Sequence, residues 1–311
     1  MLKKRFTALL LAAILVFCMV GCGNKAAEDG EAKVDAPKDP IQIATKPMTE
    51  QFILGEMLKA LIEENTDYKV EVTKGIGGGT SNIQPAMEKG EFDLYPEYTS
   101  SGWVIVLGHD AKGMSDDEMK EKLNEEYNEK YNMSWVGYYG FNNTYALVAR
   151  KEVADQYGFK TTSEMAEVSS ELVFGANPDY IEREDGYGAL VKTYGFEFKD
   201  VKDIDIGLKY QALENKDIDI TNGYTTDAQL AKDDVVVLED DKKLQVNYFC
   251  STVVRNEALE EYPGLEEVLM KMDGILTDKE MAGLNYKVEV EGENEEDVAR
   301  AFLIEKGLIE E

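Results

Sequence analysis

Two short segments of this chain carry the same tyrosine–threonine step in the same setting. Met87–Thr99 reads MEKGEFDLYPEYT and Leu213–Thr225 reads LENKDIDITNGYT, offset by 126 positions. Glu88 and Glu214, Asp93 and Asp219, Tyr98 and Tyr224, and Thr99 and Thr225 are identical pairs. Each copy reads as a helix end, a turn, a buried strand and a polar loop. The likeness is either a coincidence within a short acidic motif or the mark of two lobes with related topology; a period this long is not that of a solenoid. Two such lobes face to face would bring Tyr98 and Tyr224 to one cleft.

Other chemistry-bearing groups point less far. Asp93 and Glu97 form a carboxylate pair that could serve acid–base catalysis. No nucleophile motif, metal-ligand spacing or cofactor fingerprint accompanies them, so neither an enzyme nor a metal or cofactor is expected. His109 is the one histidine, which argues against a His-rich metal site or a Ser-His-Asp triad. Gly75–Thr80 (GIGGGT) lacks the Lys-Ser/Thr of a P-loop, and Thr80 stands where a dinucleotide fold needs its third glycine. The stretch is either a tight strand-to-helix turn or a helix start whose amides face a ligand carboxylate.

The elements that must position these residues alternate. Ile41–Ala44 reads as a strand, and residues 49–65 as an amphipathic helix with Phe52, Ile53, Met57, Leu58, Leu61 and Ile62 at helical spacing. Tyr68–Lys74 and Phe92–Tyr95 read as strands around a helix that Thr80 or Ser81 would cap. Further along, strands are expected at 145–150, 172–175, 204–205 and 218–221. Helices are expected to start at Met165–Ala166 and to cover 189–194, 210–214 and most of 257–311. This order implies an α/β fold with mostly parallel sheets flanked by helices, ligands binding off the carboxyl ends of the strands.

The N-terminus is a separate matter. Lys3, Lys4 and Arg5 precede an apolar run, Phe6–Val20, which ends at Gly21-Cys22. The run is shorter than a membrane span requires. Residues 1–21 are expected to be an export signal of the lipoprotein type, cleaved before Cys22, which would carry the lipid. Several acyl chains on one residue give stable anchoring. Residues 22–40 are few in large apolar side chains and read as a flexible tether. Loss of residues 1–21, with three positive charges and no negative ones, takes the net charge from −29 to −32. A chain so acidic is not expected to bind nucleic acid, which demands clustered Lys and Arg. Cys250 would then be alone, so no structural disulfide is expected.

Several ordered strings carry a resemblance: TEQFIL (49–54), GGTSNIQPAMEKGEFDLYPEYT (78–99), GFNNTYAL (140–147), GYTTDAQL (223–230) and VVLEDDK (236–242). Together they resemble the substrate-binding subunit of osmoprotectant ABC importers, the glycine betaine/carnitine/choline-binding family with the type II periplasmic-binding-protein fold. The match runs from about residue 41 to the C-terminus. The resemblance implies two lobes, residues 41–144 with 249–311 and residues 145–248, closing on a ligand. It implies an aromatic cage of Tyr98, Tyr145, Tyr224 and Tyr248, with polar contacts from Gln51, Thr80, Thr99, Asn142 and Asn143. It implies an ABC permease and, through it, a cytoplasmic ATPase as partners. Two departures lie beside cage positions. Family members commonly read EYTGT where this chain has EYTSS, and the loop before Tyr248 is here Leu244-Gln245-Val246-Asn247 rather than Pro- and Phe-rich.

The chemistry of such a cage is plain. A trimethylammonium head has no N–H to donate and presents a diffuse charge on an apolar sphere. Tyrosine faces attract it through their quadrupoles, at about 1–2 kcal/mol per desolvated face. A neutral cage is expected, because a buried carboxylate would also grip inorganic cations. The expected function is delivery of a quaternary amine such as glycine betaine, choline or carnitine to the importer from the extracytoplasmic face. The alternatives are an ergothioneine-binding subunit, in which Trp103 stacks on the imidazole ring or else serves the core, and a solute-sensing receptor domain.

Overall fold

The computed structural model describes residues 39–111, 113–182 and 186–310. All of them belong to one unit spanning Ala36–Glu311. The expected export signal, the lipidated Cys22 and nearly all of the tether lie outside the described residues.

Among the described residues, ten strands form two five-stranded sheets. In chain order they are β1 (Ile41–Ala44), β2 (Val70–Thr73), β3 (Leu94–Tyr98), β4 (Met133–Asn142), β5 (Tyr145–Arg150), β6 (Val173–Ala176), β7 (Asp200–Asp203), β8 (Ile220–Tyr224), β9 (Val235–Val237) and β10 (Phe249–Arg255). One sheet has the order β2-β1-β3-β10-β4 and the other β7-β6-β8-β5-β9. Helices pack on both, giving the two-sheet α/β class.

The sheets are mixed rather than mostly parallel. In each, two strand pairings are parallel and two antiparallel. The antiparallel strand of each sheet, β10 in one and β5 in the other, is the strand the chain enters on crossing from the other sheet. β4 leads straight into β5, and the chain returns to the first sheet through β10.

The two sheets are built alike down to their hydrogen bonds. Asp93 and Asp219, a matched pair of the 126-residue offset, do the same work. The Asp93 carboxylate accepts from the Gln42 amide at 2.8 Å, and that of Asp219 accepts from the Val173 amide at 2.8 Å. Arg255 at the end of β10 pairs with Asp93 at 2.6 Å and donates to the Phe92 carbonyl at 3.0 Å. Arg150 at the end of β5 pairs with Asp219 and donates to the Ile218 carbonyl at 3.1 Å. The preceding turns match as well: Gly90 has φ +73° and Lys216, its counterpart, φ +64°. A lysine there bears the left-handed cost that glycine avoids.

Helix α1 (Thr49–Asn65) shows why the first core holds. Ile53, Leu54, Met57, Leu58, Leu61 and Ile62 are all fully buried against β1, β3, β10 and the C-terminal helices. β3 is buried on both faces, with Leu94 and Tyr98 in this core and Tyr95 in a second core with Trp103, Tyr127 and Trp135. The second sheet has its own core around Phe174, Leu190, Phe196 and Ile220.

Several local expectations shift. Helix α2 (Thr80–Glu88) begins where expected, but Gly79 occupies the cap position and Thr80 caps nothing. Met165–Ala166 end a helix rather than start one: Thr161 and Glu164 form a reciprocal capping box that opens it at Thr162. β7 takes the polar Asp200–Asp203 instead of Ile204–Asp205, since an edge strand needs only backbone pairing with β6. β3 and β8 extend beyond the expected strands to reach Tyr98 and Tyr224.

Candidate functional site

Four tyrosines reach one cavity by four routes. Tyr98 ends β3 and Tyr224 ends β8, the equivalent strand of the other sheet. Tyr145 opens β5, and Tyr248 directly precedes β10. All four line a cavity of about 460 Å³, together with Lys46, Glu50, Asn143, Thr226 and Asn285. Tyr98 is 5% exposed and Tyr224 is 36% exposed, so the cavity runs from a buried floor to an open rim.

The crossings fix this convergence. Tyr145 and Tyr224 are direct antiparallel partners in β5 and β8. Their rings stack at 4.7 Å, and the Tyr224 hydroxyl donates to that of Tyr145 at 3.1 Å. Lys46 lies over the Tyr98 ring, its ammonium 4.6 Å from the centroid. In this conformation two tyrosines cover one another and a third already carries a cation.

Glu50 is one of the cavity residues that motif reading passes over, with Lys46, Thr226 and Asn285. It lies in the first turn of α1 and is 4% exposed. Its Oε1 accepts from the Tyr98 hydroxyl at 2.5 Å and from Asn143 Nδ2 at 3.0 Å. Its Oε2 is 3.4 Å from Asn285 Nδ2, and the Thr226 side chain also hydrogen-bonds it. Burial raises its pKa above the usual glutamate range, and these four donors pull the other way. Burial and then the Glu50 charge push the Tyr98 phenol well up, so it stays a donor.

The wall is therefore not the neutral one expected. A carboxylate is tolerated because its lone pairs are occupied by the protein's own donors. A hydrated inorganic cation would have to displace them to gain the oxygens, whereas a diffuse ammonium needs only the charge.

The remaining motif residues do not line this cavity. Thr80 is 4% exposed and donates to Glu97 Oε2 at 2.7 Å. Glu97 also pairs with Lys46, forming a buried network that holds the lysine beside Tyr98. Gln51 is fully buried, its Oε1 3.4 Å from the Lys46 amide. Thr99 braces the return crossing, accepting from the Phe249 amide at 3.1 Å. Asn142 knots the two crossings together: its Oδ1 accepts from the Tyr248 amide at 2.7 Å and its Nδ2 donates to Asn247 at 2.8 Å. Of the polar set, only Asn143 meets the cavity directly.

Other candidates are accounted for as framework. Asp93 is held by Arg255 and Glu97 by Lys46 and Thr80, so the carboxylate pair serves structure. Trp103 is buried, its ring 4.4 Å from that of His109 and its indole N–H donating to the Asp110 carbonyl at 3.0 Å. Cys250 is a buried free thiol with its pKa raised by burial. Among the described residues no cluster of His, Cys, Asp and Glu could hold a metal ion, and no helix is long and apolar enough to cross a membrane.

Comparison with known proteins sets this geometry in a family. Residues 39–305 match the family described as the substrate binding domain of ABC-type glycine betaine transport system. An ergothioneine transport permease/ergothioneine binding protein, EgtU of Helicobacter pylori strain G27, is 42% identical over 269 residues, which are 86% of this chain and 48% of that protein. The chain thus spans about half the length of that relative. The carnitine transport binding protein OpuCC of Listeria monocytogenes serotype 1/2a strain 10403S is 33% identical over 312 residues, covering 99% of each. A crystal structure of a glycine betaine/carnitine/choline ABC transporter superposes with a TM-score of 0.81 at 31% identity, covering 86% of this chain and 99% of that one. The chain belongs to the family of substrate-binding domains of ABC-type glycine betaine transport systems, extracytoplasmic substrate-binding proteins rather than enzymes.

Proposed function

We propose that this chain captures a quaternary-ammonium solute in the tyrosine-lined cavity and hands it to an ABC permease served by a cytoplasmic ATPase. The observation that carries the reading is the convergence of Tyr98, Tyr145, Tyr224 and Tyr248, from both sheets and both crossings, on one cavity with a buried carboxylate. Ring faces desolvate the methyl groups and attract the charge. Glu50, when ionised, adds a negative charge beside the Tyr98 hydroxyl. Lys46, on the same wall, gives a zwitterionic betaine a cation to set against its carboxylate.

Residues 41–144 with 249–311 act as one lobe and 145–248 as the other, joined at residues 142–145 and 246–249. Ligand bridging the two stabilises a closed form. Because Tyr145 and Tyr224 are paired within one lobe, closing would carry the outer face of their stack toward Tyr98 on the other. Residues 1–21 serve as the export signal, Cys22 as the lipid attachment and 22–40 as the tether. Loss of palmitate labelling and release from the membrane in Cys22→Ala is the result expected; unchanged labelling overturns the anchor.

A second reading keeps the cavity and changes the ligand. The 42% identity to an ergothioneine binding protein favours ergothioneine, which carries the same trimethylammonium head on a thiolated histidine. A thermal-shift panel of glycine betaine, choline, carnitine and ergothioneine separates the two. A true ligand at a hundred times its Kd stabilises by about 2.7 kcal/mol, a shift of several degrees. No shift with any of the four overturns the proposal.

A further inference from the structure

Asn285 lies on the helix Asp278–Glu289, lines the tyrosine cavity and is 5% exposed. Its Nδ2 donates to the Thr226 carbonyl at 2.9 Å and is 3.4 Å from Glu50 Oε2. One partner is a carbonyl and the other a carboxylate, so turning the amide over would set oxygen against oxygen. The amide orientation is therefore decided by its surroundings, and Oδ1 is its free end. That oxygen is buried and has no hydrogen-bond partner. Among the described residues it is the one such atom on a side chain lining this cavity.

No protein donor meets it in this structure: the Tyr98 hydroxyl and one hydrogen of Asn143 Nδ2 go to Glu50 instead. A buried acceptor left without a donor is unfavourable, and one beside a ligand cavity is relieved by a ligand that brings the proton. We propose that Asn285 is a specificity-determining residue, and that the preferred solute is a quaternary ammonium compound bearing an O–H or N–H that donates to Asn285 Oδ1. This rests on the quaternary-ammonium reading above and narrows it. Glycine betaine has no such donor. Choline and carnitine carry a hydroxyl, and ergothioneine carries ring N–H groups. A site built to accept a hydrogen bond rejects an analogue lacking the donor, because the acceptor is then buried unpaired.

The test uses matched ligands of which one member lacks the donor: choline against O-methylcholine, carnitine against γ-butyrobetaine, and ergothioneine against its analogue methylated on both ring nitrogens. Calorimetry on the wild-type chain should show the donor-bearing member of at least one pair binding about tenfold or more tighter. In Asn285→Ala that ratio should fall toward one, the donor-bearing member losing its advantage over its partner. Because each ratio is taken within a single variant, a general loss of stability cancels. Equal affinities within every pair in the wild type overturn the inference, as does a preference that survives in Asn285→Ala. Failure of all six compounds and of glycine betaine to bind would instead remove the quaternary-ammonium reading itself, whereas glycine betaine binding alone would overturn only the inference.

Discussion

Replacing Glu50 by Gln removes one formal charge from the cavity wall and keeps the side chain's shape. The amide oxygen can still accept from the Tyr98 hydroxyl and Asn143 Nδ2, which now meet Glu50 Oε1 at 2.5 and 3.0 Å. A trimethylammonium seated among the rings stands about 4–6 Å from their centroids. With the carboxylate on the Tyr98 hydroxyl, the charge separation is then on the order of 7 Å. At an effective dielectric near 20, that separation is worth about 2 kcal/mol. Water in the open rim reduces this, so choline affinity should fall about tenfold, or roughly 1.4 kcal/mol. The assay is calorimetry of choline beside its neutral isostere, in which a tert-butyl group replaces the trimethylammonium. The isostere should be indifferent to the substitution or bind better. The wild type should also show a pH dependence. Burial raises the Glu50 pKa above its ordinary 4.5, so choline affinity is full where the carboxylate is ionised and declines as pH falls through that raised value. For the unliganded fold the sign is opposite. A raised carboxyl pKa adds stability below its unfolded value, and that is lost as pH rises through the folded one. Glu50→Gln should flatten the binding profile. Equal losses for choline and the isostere, or a profile unchanged in the variant, would refute the electrostatic role.

Further outcomes follow from the same geometry. Tyr224→Ala should weaken binding about tenfold or more, whereas Tyr224→Phe keeps the ring and most of the affinity; calorimetry giving the two variants one affinity counts against ring-face recognition. Asp93→Asn and Asp219→Asn each remove a charged partner from an arginine at equivalent positions of the two sheets. Urea denaturation should show each costing about 2 kcal/mol, adding in the double variant because the sites share no partners; a loss in one sheet only would break the equivalence. Gly140 has φ +108°, and a Cβ there would lie 2.5 Å from the Leu276 carbonyl oxygen. Gly140→Ala should cost at least about 2 kcal/mol, and a wild-type melting temperature would contradict that.

How much of this was legible in the residues depends on what kind of signal each carries. Periodicity sufficed for α1, whose apolar positions recur at helical spacing and, Phe52 apart, are buried. The 126-residue offset exposed the equivalence of β3 and β8, because identical side chains there make identical backbone contacts. Glu50 was quoted within TEQFIL but not singled out, since a glutamate in a helix's first turn ordinarily reads as a solvated dipole partner. Only the approach of Tyr98, Asn143, Thr226 and Asn285 from four distant segments turns it inward. Asn285 is hidden for the same reason, as one amide on an acidic helix. Gln51, Thr80, Thr99 and Asn142 stand in matched motifs, yet their side chains brace crossings and buried networks around the cavity. A motif records that a residue is needed and is silent on whether it touches ligand or holds what does. β10 escaped notice because its middle, Ser251 and Thr252, is polar although fully buried.

The central claim is that a permanently charged nitrogen rests among tyrosines drawn from both sheets. A crystal structure of the exported chain with a bound trimethylammonium solute tests it most directly. The nitrogen should lie within about 6 Å of the ring centroids of at least three of Tyr98, Tyr145, Tyr224 and Tyr248. A ligand found in another cavity, or one held there with its ammonium turned out to solvent and away from the rings, would contradict the account.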